Sequence, residues 1–395
     1  MQYVFMKKTK IILLLTVVLL LGTLTGCEGL LPFGMPALPM DDGRTKAAEI
    51  PVREDEGGAA PFLVRVLDVG QGLAVLVRAD GGNALFDAGS RISGAGVVRA
   101  LKKEGIRTLD FVSASHYDDD HAGGVPGVLH GIECRKLLLP DYTARGATYT
   151  SCLEAAEDTD TEIVYPKVGD SFLLGGASVQ VIGPERFDME EENDRCLAYR
   201  IDYGDCHVLV CGDAEEREES FISRSLQPGG HVIYVVDHHG SYTSSTEAFL
   251  SAAGPEAAIL SCGTFNEFAH PHRQALERIR RSGAALYRTD LQGTVTVCSD
   301  GNGIWTELTP CQDFSEGKYP EEAPEEENKP EEDVITGETI DPSEASFVCN
   351  RGSFVFHYPD CENVPKIHSW NLGYTSAERE KVLEYGYKAC RNCRP

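Results

Sequence analysis

One segment, Ser115-His116-Tyr117-Asp118-Asp119-Asp120-His121-Ala122-Gly123-Gly124, carries most of the information about fold and chemistry in this chain. It follows an apolar run from Leu109 to Ala114, which predicts a buried strand. Because side chains alternate along an extended segment, His116 and Asp118 can face one point, whereas adjacent Asp120 and His121 serve different directions. A mixture of imidazole and carboxylate ligands suits divalent cations such as Zn²⁺ and Mn²⁺. The spacing therefore predicts metal ligands rather than a charged surface loop.

Strands that end in Asp or His recur along the chain. Residues 84–86 lead into Asp87, and a strand at 206–210 precedes Asp213 and a predicted helix over 213–225. Further strands at 232–236 and 257–261 alternate with helices over 245–253 and 271–282. This alternation is typical of an α/β fold with its site along one edge of a sheet.

Several motifs together match a known family. The spacing of the first motif is similar to His-x-His-x-Asp-His of the metallo-β-lactamase superfamily, with Asp118 at the second histidine. In this form it resembles the C-terminal hydrolase domain of the ComEC competence proteins. The resemblance continues in family order through VRVLDVGQGLAVLVRADGGNALFDAGS (64–90), LVCGDAEE (209–216), DHHGSYTSS (237–245), AHPH (269–272) and YRTDLQGTV (287–295). It implies a four-layer αβ/βα metallo-β-lactamase sandwich, which we place at residues 61–312, with metals between two sheets.

The resemblance implies a role for each polar residue at that edge. Asp213 would bridge two metals held ~3.5–4 Å apart, an arrangement suited to attack on phosphorus; alone, Asp213 could equally cap the helix after it. Asp87 would orient a ligand histidine by accepting its second N–H. Asp120 would also position the attacking water. The implied ligands of the first motif are His116, Asp118, Asp120 and His121.

The third motif of the family departs from the usual pattern. It normally supplies a histidine ligand, but no histidine lies between His130 and His207. Asn193 aligns with an asparagine of the ComEC-type proteins. Because an amide oxygen is a poorer ligand, we expect one metal to bind weakly or to prefer Mn²⁺ to Zn²⁺.

Two assignments remain open for the last ligand. By chain order, His239 resembles the proton donor of the ribonuclease Z branch, work that suits an imidazole, and His270 resembles the metal ligand. In the alternative, His238 or His239 is the ligand, and His270 contacts that ligand without binding the metal. A second departure is Leu73, where the family has Asp after Asp68-Val69-Gly70-Gln71-Gly72.

The first 26 residues read as a bacterial lipoprotein signal peptide. Three lysines precede an apolar stretch over 11–21, and Leu24-Thr25-Gly26-Cys27 resembles a lipobox. Cleavage there would leave Cys27 to carry lipid, with residues 27–60 as a tether; the alternative is an uncleaved membrane anchor. Either reading places the hydrolase outside the cytoplasmic membrane, as a membrane-anchored extracytoplasmic protein.

The net charge of −26 is unfavourable for nucleic acid. Much of it is local, because residues 316–345 hold twelve acidic residues and two lysines. This composition predicts a disordered linker over 313–345. It would separate the hydrolase from a C-terminal module over 346–395.

That module contains a strong metal motif. His357-x3-Cys361 and Cys390-x2-Cys393 have the residue types and spacing of a closed tetrahedral zinc site. A structural Zn²⁺ would stabilise a segment with little core of its own. The pattern resembles the zinc module of the Ada DNA-repair protein, with His357 where that family has its alkyl-accepting cysteine, so methyl transfer is not expected. DNA contact and a structural adaptor role both remain open.

These observations favour a lipid-anchored hydrolase with one or two divalent metals, Zn or Mn, that cleaves phosphodiesters, with DNA as the expected substrate and partner. The acidic composition favours a rival, namely a wall-polymer or small-molecule phosphodiesterase or a lactonase. Leu73 and the missing third-motif histidine favour a second rival, a non-catalytic nucleic-acid-binding lipoprotein. Fold alone does not decide among them.

Overall fold

A computed structural model describes residues 47–53, 60–227, 229–320, 331–351, 354–367 and 372–395. The predicted signal peptide, its Cys27 and most of the tether lie outside the described residues. Within them, no helix has the length and apolar character needed to cross a membrane.

The first sheet has eight strands in the order β17-β16-β1-β2-β3-β5-β7-β8. Its N-terminal part is antiparallel, and β3, β5, β7 and β8 run parallel to one another. The short strands β4 and β6 pair with each other beside it. In chain order the strands are β1 (Phe62–Val66), β2 (Val75–Ala79), β3 (Gly82–Phe86), β4 (Thr108–Leu109), β5 (Phe111–Ser113), β6 (Glu133–Cys134), β7 (Lys136–Leu138) and β8 (Glu162–Val164), with β16 and β17 given below.

The second sheet has seven strands in the order β15-β14-β13-β12-β11-β10-β9. Strands β12 to β15 are parallel, and β9 to β12 form an antiparallel meander. The strands are β9 (Ser171–Leu174), β10 (Ala177–Gly183), β11 (Ala198–Tyr203), β12 (Cys206–Val210), β13 (His231–Val235), β14 (Ala257–Leu260) and β15 (Ala285–Arg288); β16 (Val295–Ser299) and β17 (Ile304–Thr306) return to the first sheet.

Helices cover the outer face of each sheet. One apolar core lies between the sheets, where β1 and β2 residues meet β10 to β14 residues. A second core joins the first sheet to its helices, and a third joins the second sheet to its own. The four-layer αβ/βα arrangement is therefore confirmed. The helices are α1 (Gly94–Lys103), α2 (Asp119–Ala122), α3 (Val125–Gly131), α4 (Ala147–Asp158), α5 (Glu216–Ser223), α6 (Glu247–Ala253), α7 (Arg273–Ser282) and α8 (Thr289–Gln292).

The C-terminal residues form a small sheet of their own. Its order is β22-β20-β21-β23, and helix α9 (Arg379–Glu384) packs beside it. A two-stranded pair, β18 with β19, precedes it. The strands are β18 (Glu331–Glu332), β19 (Thr339–Ile340), β20 (Phe347–Asn350), β21 (Val355–His357), β22 (Leu372–Thr375) and β23 (Lys388–Ala389).

The structure differs from the sequence prediction in the second part of the linker. Val334 and Ile335 are buried, and they belong to the same apolar core as Val98 and Leu101 of α1. Asp333 holds this segment in place, because its carboxylate accepts hydrogen bonds from the N–H groups of Ile335 and Ser376. The acidic residues dominate the average composition of the linker, so it does not reveal that Val334 and Ile335 are apolar. Burial of these two residues holds the segment in one conformation.

The module also shares its core with the hydrolase domain. The ring of Phe354 lies directly on Gly127 of α3, at a point where a β-carbon would come within 2.1 Å of Cζ. Val382 and Tyr385 of the module extend the same core. At the surface, Lys388 Nζ pairs with Asp158 Oδ2 of α4 at 2.5 Å. The two parts are thus packed together rather than merely tethered.

Candidate metal centres

Two pairs of parallel strands, one pair in each sheet, deliver polar residues to one edge between the sheets. Asp87 follows β3, and the segment from Ser115 to His121 follows the neighbouring strand β5. In the second sheet, Asp213 follows β12 and His239 follows β13. Because parallel strands end at the same edge, residues far apart in sequence meet there.

His121 lies at the centre of this group. Its Nδ1 is 2.8 Å from Asp87 Oδ2, so the carboxylate accepts the Nδ1–H and leaves Nε2 with a lone pair. Nε2 lies 2.9 Å from Asp213 Oδ1 and 3.0 Å from Nε2 of His239. The imidazole is completely buried. Asp87 lies where its predicted role of orienting a ligand histidine requires, and that role stays a prediction.

His239 is held in the same way from the opposite sheet. Its Nδ1 donates to the carbonyl oxygen of Ser261 at 3.0 Å, which directs a lone pair on Nε2 toward the site. Nε2 is also 3.3 Å from Asp120 Oδ2. His238 and His239 both have left-handed backbone angles, with φ of 50° and 53°. Such conformations are costly for residues other than glycine and cluster at functional sites.

His116 and Asp118 form a second corner of the site. His116 is fully buried, and its Nδ1 is 3.0 Å from the hydroxyl of Ser115, which itself donates to Asp87. Its Nε2 is buried and has no hydrogen-bond partner among the described residues. Asp118 Oδ2 lies 3.6 Å from that nitrogen, and its side chain is about half exposed. A buried nitrogen that has no hydrogen-bond partner and faces a carboxylate fits the role of a metal ligand.

The electrostatics of the group favour a cation. Burial lowers the pKa of His121, but Asp213, Asp87 and Asp120 outweigh it and raise that pKa well above its usual value. Burial raises the pKa of Asp213, but His121 and His239 outweigh it and hold that pKa well below its usual range. The carboxylates therefore stay ionised. Because Nε2 of His121 and Nε2 of His239 lie 3.0 Å apart among these carboxylates, a proton or a divalent cation must lie beside them.

The donor atoms form two overlapping sets. In each set, one ligand atom from every residue lies within 4.8 Å of the others. The residues and donor types fit a divalent metal at each set, with His121 common to both. The sets are His116, His121 and Asp213, and Asp120, His121 and His239.

His270 lies outside both sets. Its ring centroid is 6.1 Å from that of His239 and 5.4 Å from that of His238. It is buried, and its Nδ1 has no hydrogen-bond partner among the described residues. Burial, together with the neighbouring His239 and His238, lowers the pKa of His270 to about 3. This geometry favours the alternative in which His239 is the ligand, and the roles of the two histidines stay predictions.

Asn193 and His238 both contact Glu215, which lies two residues after Asp213. His238 Nε2 lies 3.7 Å from Asp213 Oδ2, and its Nδ1 lies 3.4 Å from Glu215 Oε1. The Asn193 amide donates to the same Glu215 oxygen at 3.4 Å. Asn193 therefore reaches the site through Glu215 and His238, and its predicted part as a ligand substitute remains a prediction.

The loop before β2 supports Asp120 from behind. Leu73 N–H donates to the Asp120 carbonyl at 3.0 Å, and the Leu73 side chain is buried in the core between the sheets. A β-carbon on Gly72 would come within 2.4 Å of that carbonyl oxygen. Leu73 thus packs the core and fixes the Asp120 backbone, which explains how the site tolerates an apolar residue there.

Three residues that contribute to the site were not predicted from the sequence. Ser115 joins Asp87 to His116, Glu215 joins Asn193 to His238, and the Ser261 carbonyl orients His239. Ser115 stands directly beside the first motif, and Glu215 lies within LVCGDAEE, so their positions offered a signal. A backbone carbonyl carries no such signal in its residue type.

The C-terminal cluster forms a separate centre. His357 ends β21 and Cys390 follows the parallel strand β23, so they lie side by side, and the Cys390 N–H donates to the Phe356 carbonyl at 2.9 Å. His357 Nδ1 is 3.4 Å from Cys361 Sγ. One ligand atom from each of His357, Cys361, Cys390 and Cys393 lies within 4.8 Å of the other three.

The thiols of this centre are available to a metal. Cys361, Cys390 and Cys393 carry free thiols, so no disulfide competes there. Burial raises the pKa of the Cys390 thiol, but hydrogen bonds from the N–H groups of Cys393 and Asn392 outweigh it and lower the pKa to about 7. Thiolate is the form that binds metal, and three cysteines with one histidine fit a closed zinc site.

Comparison with known proteins agrees with this geometry. The profile of a family described as "Metallo-beta-lactamase superfamily" matches residues 67–264. "Recombination protein 2" of Haemophilus influenzae is 33% identical over 239 residues, which cover 59% of this chain and 28% of that protein. "Competence protein ComA" of Neisseria gonorrhoeae is 31% identical over 249 residues, covering 61% and 33%. "ComE operon protein 3" of Bacillus subtilis is 27% identical over 250 residues, covering 59% and 32%.

The similarity to competence proteins is therefore confirmed for the hydrolase domain. The chain spans about a third of the length of the curated relatives that it matches.

Proposed function

Because the chain belongs to the metallo-β-lactamase superfamily, we propose that it is a metal-dependent phosphodiesterase whose substrate is DNA. The proposal also makes it a lipoprotein, anchored through Cys27 and acting outside the cytoplasmic membrane. The names of the relatives, which refer to recombination and competence, support DNA as the substrate class.

One observation carries the catalytic part of the proposal. Nε2 of His121 lies between Asp213 Oδ1 at 2.9 Å and His239 Nε2 at 3.0 Å, and both histidines donate their Nδ1–H elsewhere. Lone pairs and carboxylates converge on one buried point that a proton or a divalent cation must occupy. Divalent cations held there would polarise a phosphoryl oxygen and activate water.

The residues of the chain divide the remaining work. Asp120, whose Oδ2 lies 3.3 Å from His239 Nε2, is placed to hold and orient an attacking water. Asp87 and the Ser261 carbonyl keep His121 and His239 in the tautomer that ligates metal. We place substrate entry beside Asp118, because its side chain is about half exposed whereas His116 and His121 are fully buried.

We assign His239 as a ligand, which leaves another group to protonate the leaving oxygen. His238 is the candidate, because its side chain is 19% exposed and its Nδ1 forms a hydrogen bond with the Thr243 hydroxyl at 3.3 Å, beside the Glu215 carboxylate. His270 is more deeply buried and packs behind His239. His238→Ala should then lower turnover while leaving metal content unchanged.

The experiment compares the full chain, loaded with Mn²⁺ or Zn²⁺, on linear DNA, RNA and bis(4-nitrophenyl) phosphate. Asp120→Asn keeps the side-chain volume and should lower cleavage by about a hundredfold or more. Asp119→Asn is the matched control, since Asp119 faces Arg91 at 3.0 Å and its side chain is half exposed. Equal activity of wild type and Asp120→Asn on every substrate would exclude the enzymatic proposal and leave a non-catalytic binding protein.

A second function is favoured by the net charge of −26, which repels polyanions at long range. In that case the substrate is a small or wall-derived phosphodiester, or a lactone. Cleavage of bis(4-nitrophenyl) phosphate without cleavage of DNA or RNA would support it.

A further inference from the structure

A cleft lies between helix α1 and the C-terminal module. Its volume is about 890 Å³, and its walls come from α1, from the loop before β2 and from the segments around Val334 and Tyr385. Two acidic side chains, Asp68 and Glu384, line it, against six basic ones. The basic residues are Arg99, Lys102, Lys103, Arg107, Arg351 and Lys381.

This concentration is unexpected in a chain with a net charge of −26. Arg99, Lys102 and Lys103 are spaced to share one side of α1, because residues three and four apart are neighbours on a helix. Arg107 continues the row just past the helix. The cations therefore follow a line along one wall, and Lys381 and Arg351 stand on the other.

Three of the six basic side chains of this cleft form no ion pair in the part of the chain that the structure describes. Lys103, Arg107 and Lys381 are exposed and form no ion pair within the described ranges. Arg351 Nε is buried and lacks a hydrogen-bond partner there. Lys102 instead donates to the Glu384 backbone carbonyl and lies 4.9 Å from the Tyr385 ring. Lys103, Arg107 and Lys381 therefore offer three exposed cations to an anion in the cleft.

The cleft adjoins the candidate catalytic site through one loop. Asp68 and Val69 line the cleft, and four residues farther on Leu73 donates to the Asp120 carbonyl at 3.0 Å. Ser93 at the start of α1 fastens this loop, because its hydroxyl donates to the Val69 carbonyl at 3.0 Å. A linear ligand lying in the cleft would thus run beside the wall that supports Asp120.

We propose that this cleft binds the phosphate backbone of a DNA strand and that the C-terminal module acts by completing it. The choice of DNA rests on the proposed function. A row of cations that neutralises successive phosphates binds without regard to base sequence and releases counterions. A polymer is favoured over a small ligand, because the positive charges are spread along two walls rather than gathered at one point.

The test measures binding of a short fluorescein-labelled DNA duplex by fluorescence anisotropy over a series of salt concentrations. Every protein is the full chain in detergent and carries Asp120→Asn, so that cleavage does not interfere. Lys103→Gln/Arg107→Gln removes two charges from the α1 wall, and Lys381→Gln removes one from the module. Arg145→Gln/Arg280→Gln is the matched control, since both arginines are exposed, lie outside the cleft and have no ion pair within the described residues.

We expect the double cleft variant to weaken binding by about tenfold or more, and the slope of log K against log salt to fall by about 1 for each cation removed. Lys381→Gln should lower the slope by about 1, whereas the control should match the parent. Equal affinity and slope for cleft variants and control would overturn the proposal. It would also be overturned if the cleft variants lost binding to phosphatidylglycerol vesicles but kept DNA binding, because the surface would then serve a membrane.

This outcome is separable from the proposed function. Hydrolysis of bis(4-nitrophenyl) phosphate by the wild-type chain reports on the metal site alone. If the wild-type chain hydrolyses this substrate but the cleft variants bind DNA as well as their parent does, the cleft proposal is refuted. If the wild-type chain is inactive but the cleft variants lose DNA binding, the enzymatic proposal is refuted and the cleft proposal stands.

Discussion

Gly127→Ala tests whether the C-terminal module is packed on the hydrolase domain. A β-carbon at this position would lie 2.1 Å from Cζ and 2.5 Å from Cε1 of Phe354. Carbon atoms in contact prefer ~3.5–4.0 Å, so the ring must withdraw by more than about 1 Å. It has little room, because Phe354 is 3% exposed and packs on Tyr387 with ring centroids 5.2 Å apart.

The expected magnitude follows from two opposing effects. Overpacking a core costs about 1–3 kcal/mol, whereas replacing glycine by alanine inside a helix contributes about 0.5–1 kcal/mol. We therefore expect Gly127→Ala to lower the free energy of unfolding by about 1–2 kcal/mol. Gly96→Ala in α1 is the matched control, since its β-carbon would meet no atom within 4 Å, and it should stabilise the chain slightly.

A double-mutant cycle separates this contact from general damage. Phe354→Ala should cost about 3–5 kcal/mol. In that background the Gly127 methyl enters space that the ring has left, so the second substitution should cost nothing or stabilise. Amide hydrogen exchange of the zinc-loaded chain, followed in α3 and β21, measures the free energy of opening of these two elements in each single variant and in the double variant. Strict additivity, or unchanged exchange of both elements in Gly127→Ala, would refute a shared core.

Three further predictions concern the two metal centres. Asp87→Asn should lower the metal affinity of the hydrolase site by about 10–100-fold in equilibrium dialysis while the tail keeps its zinc, because His121 loses its orienting acceptor; unchanged affinity would contradict that role. His239→Ala should lose metal by elemental analysis and His270→Ala should keep it, and the reverse pattern would restore the assignment by chain order. Cys390→Ser should remove about one zinc per chain. In the metal-free chain, the lowered Cys390 pKa of about 7 should make the tail more stable at pH 9 than at pH 7, whereas the neighbouring Cys393 thiol, whose pKa is raised to about 11, removes that gain as the pH rises above 9. Cys390→Ser should abolish the difference between urea titrations at pH 7 and 9; an unchanged difference would contradict this.

The first motif shows how much of the site the sequence predicts. His116, Asp118, Asp120 and His121 stand within six residues after one strand, so local spacing alone indicates that they act together. The pairing of Asp87 with that group follows from family order and is matched by its 2.8 Å contact with His121. Their roles as ligands stay predictions until metal is measured.

The choice between His239 and His270 could not be made from the sequence. It depends on the carbonyl of Ser261, which lies at the end of the adjacent strand β14 and fixes the His239 ring. Chain order gives no information about which imidazole faces inward. The linker shows a related limit, since composition averaged over its length hides the burial of Val334 and Ile335.

Anomalous diffraction from crystals of the chain grown with Mn²⁺ would locate the metal between the two sheets. We expect a peak bounded by Asp120 Oδ2, His121 Nε2 and His239 Nε2, with Asp213 beside it, and a second peak near His116 Nε2 if two ions bind. A peak bound by His270 with none at His239 would contradict the ligand assignment. The absence of any peak between the two sheets at saturating Mn²⁺ would contradict a metal-dependent hydrolase.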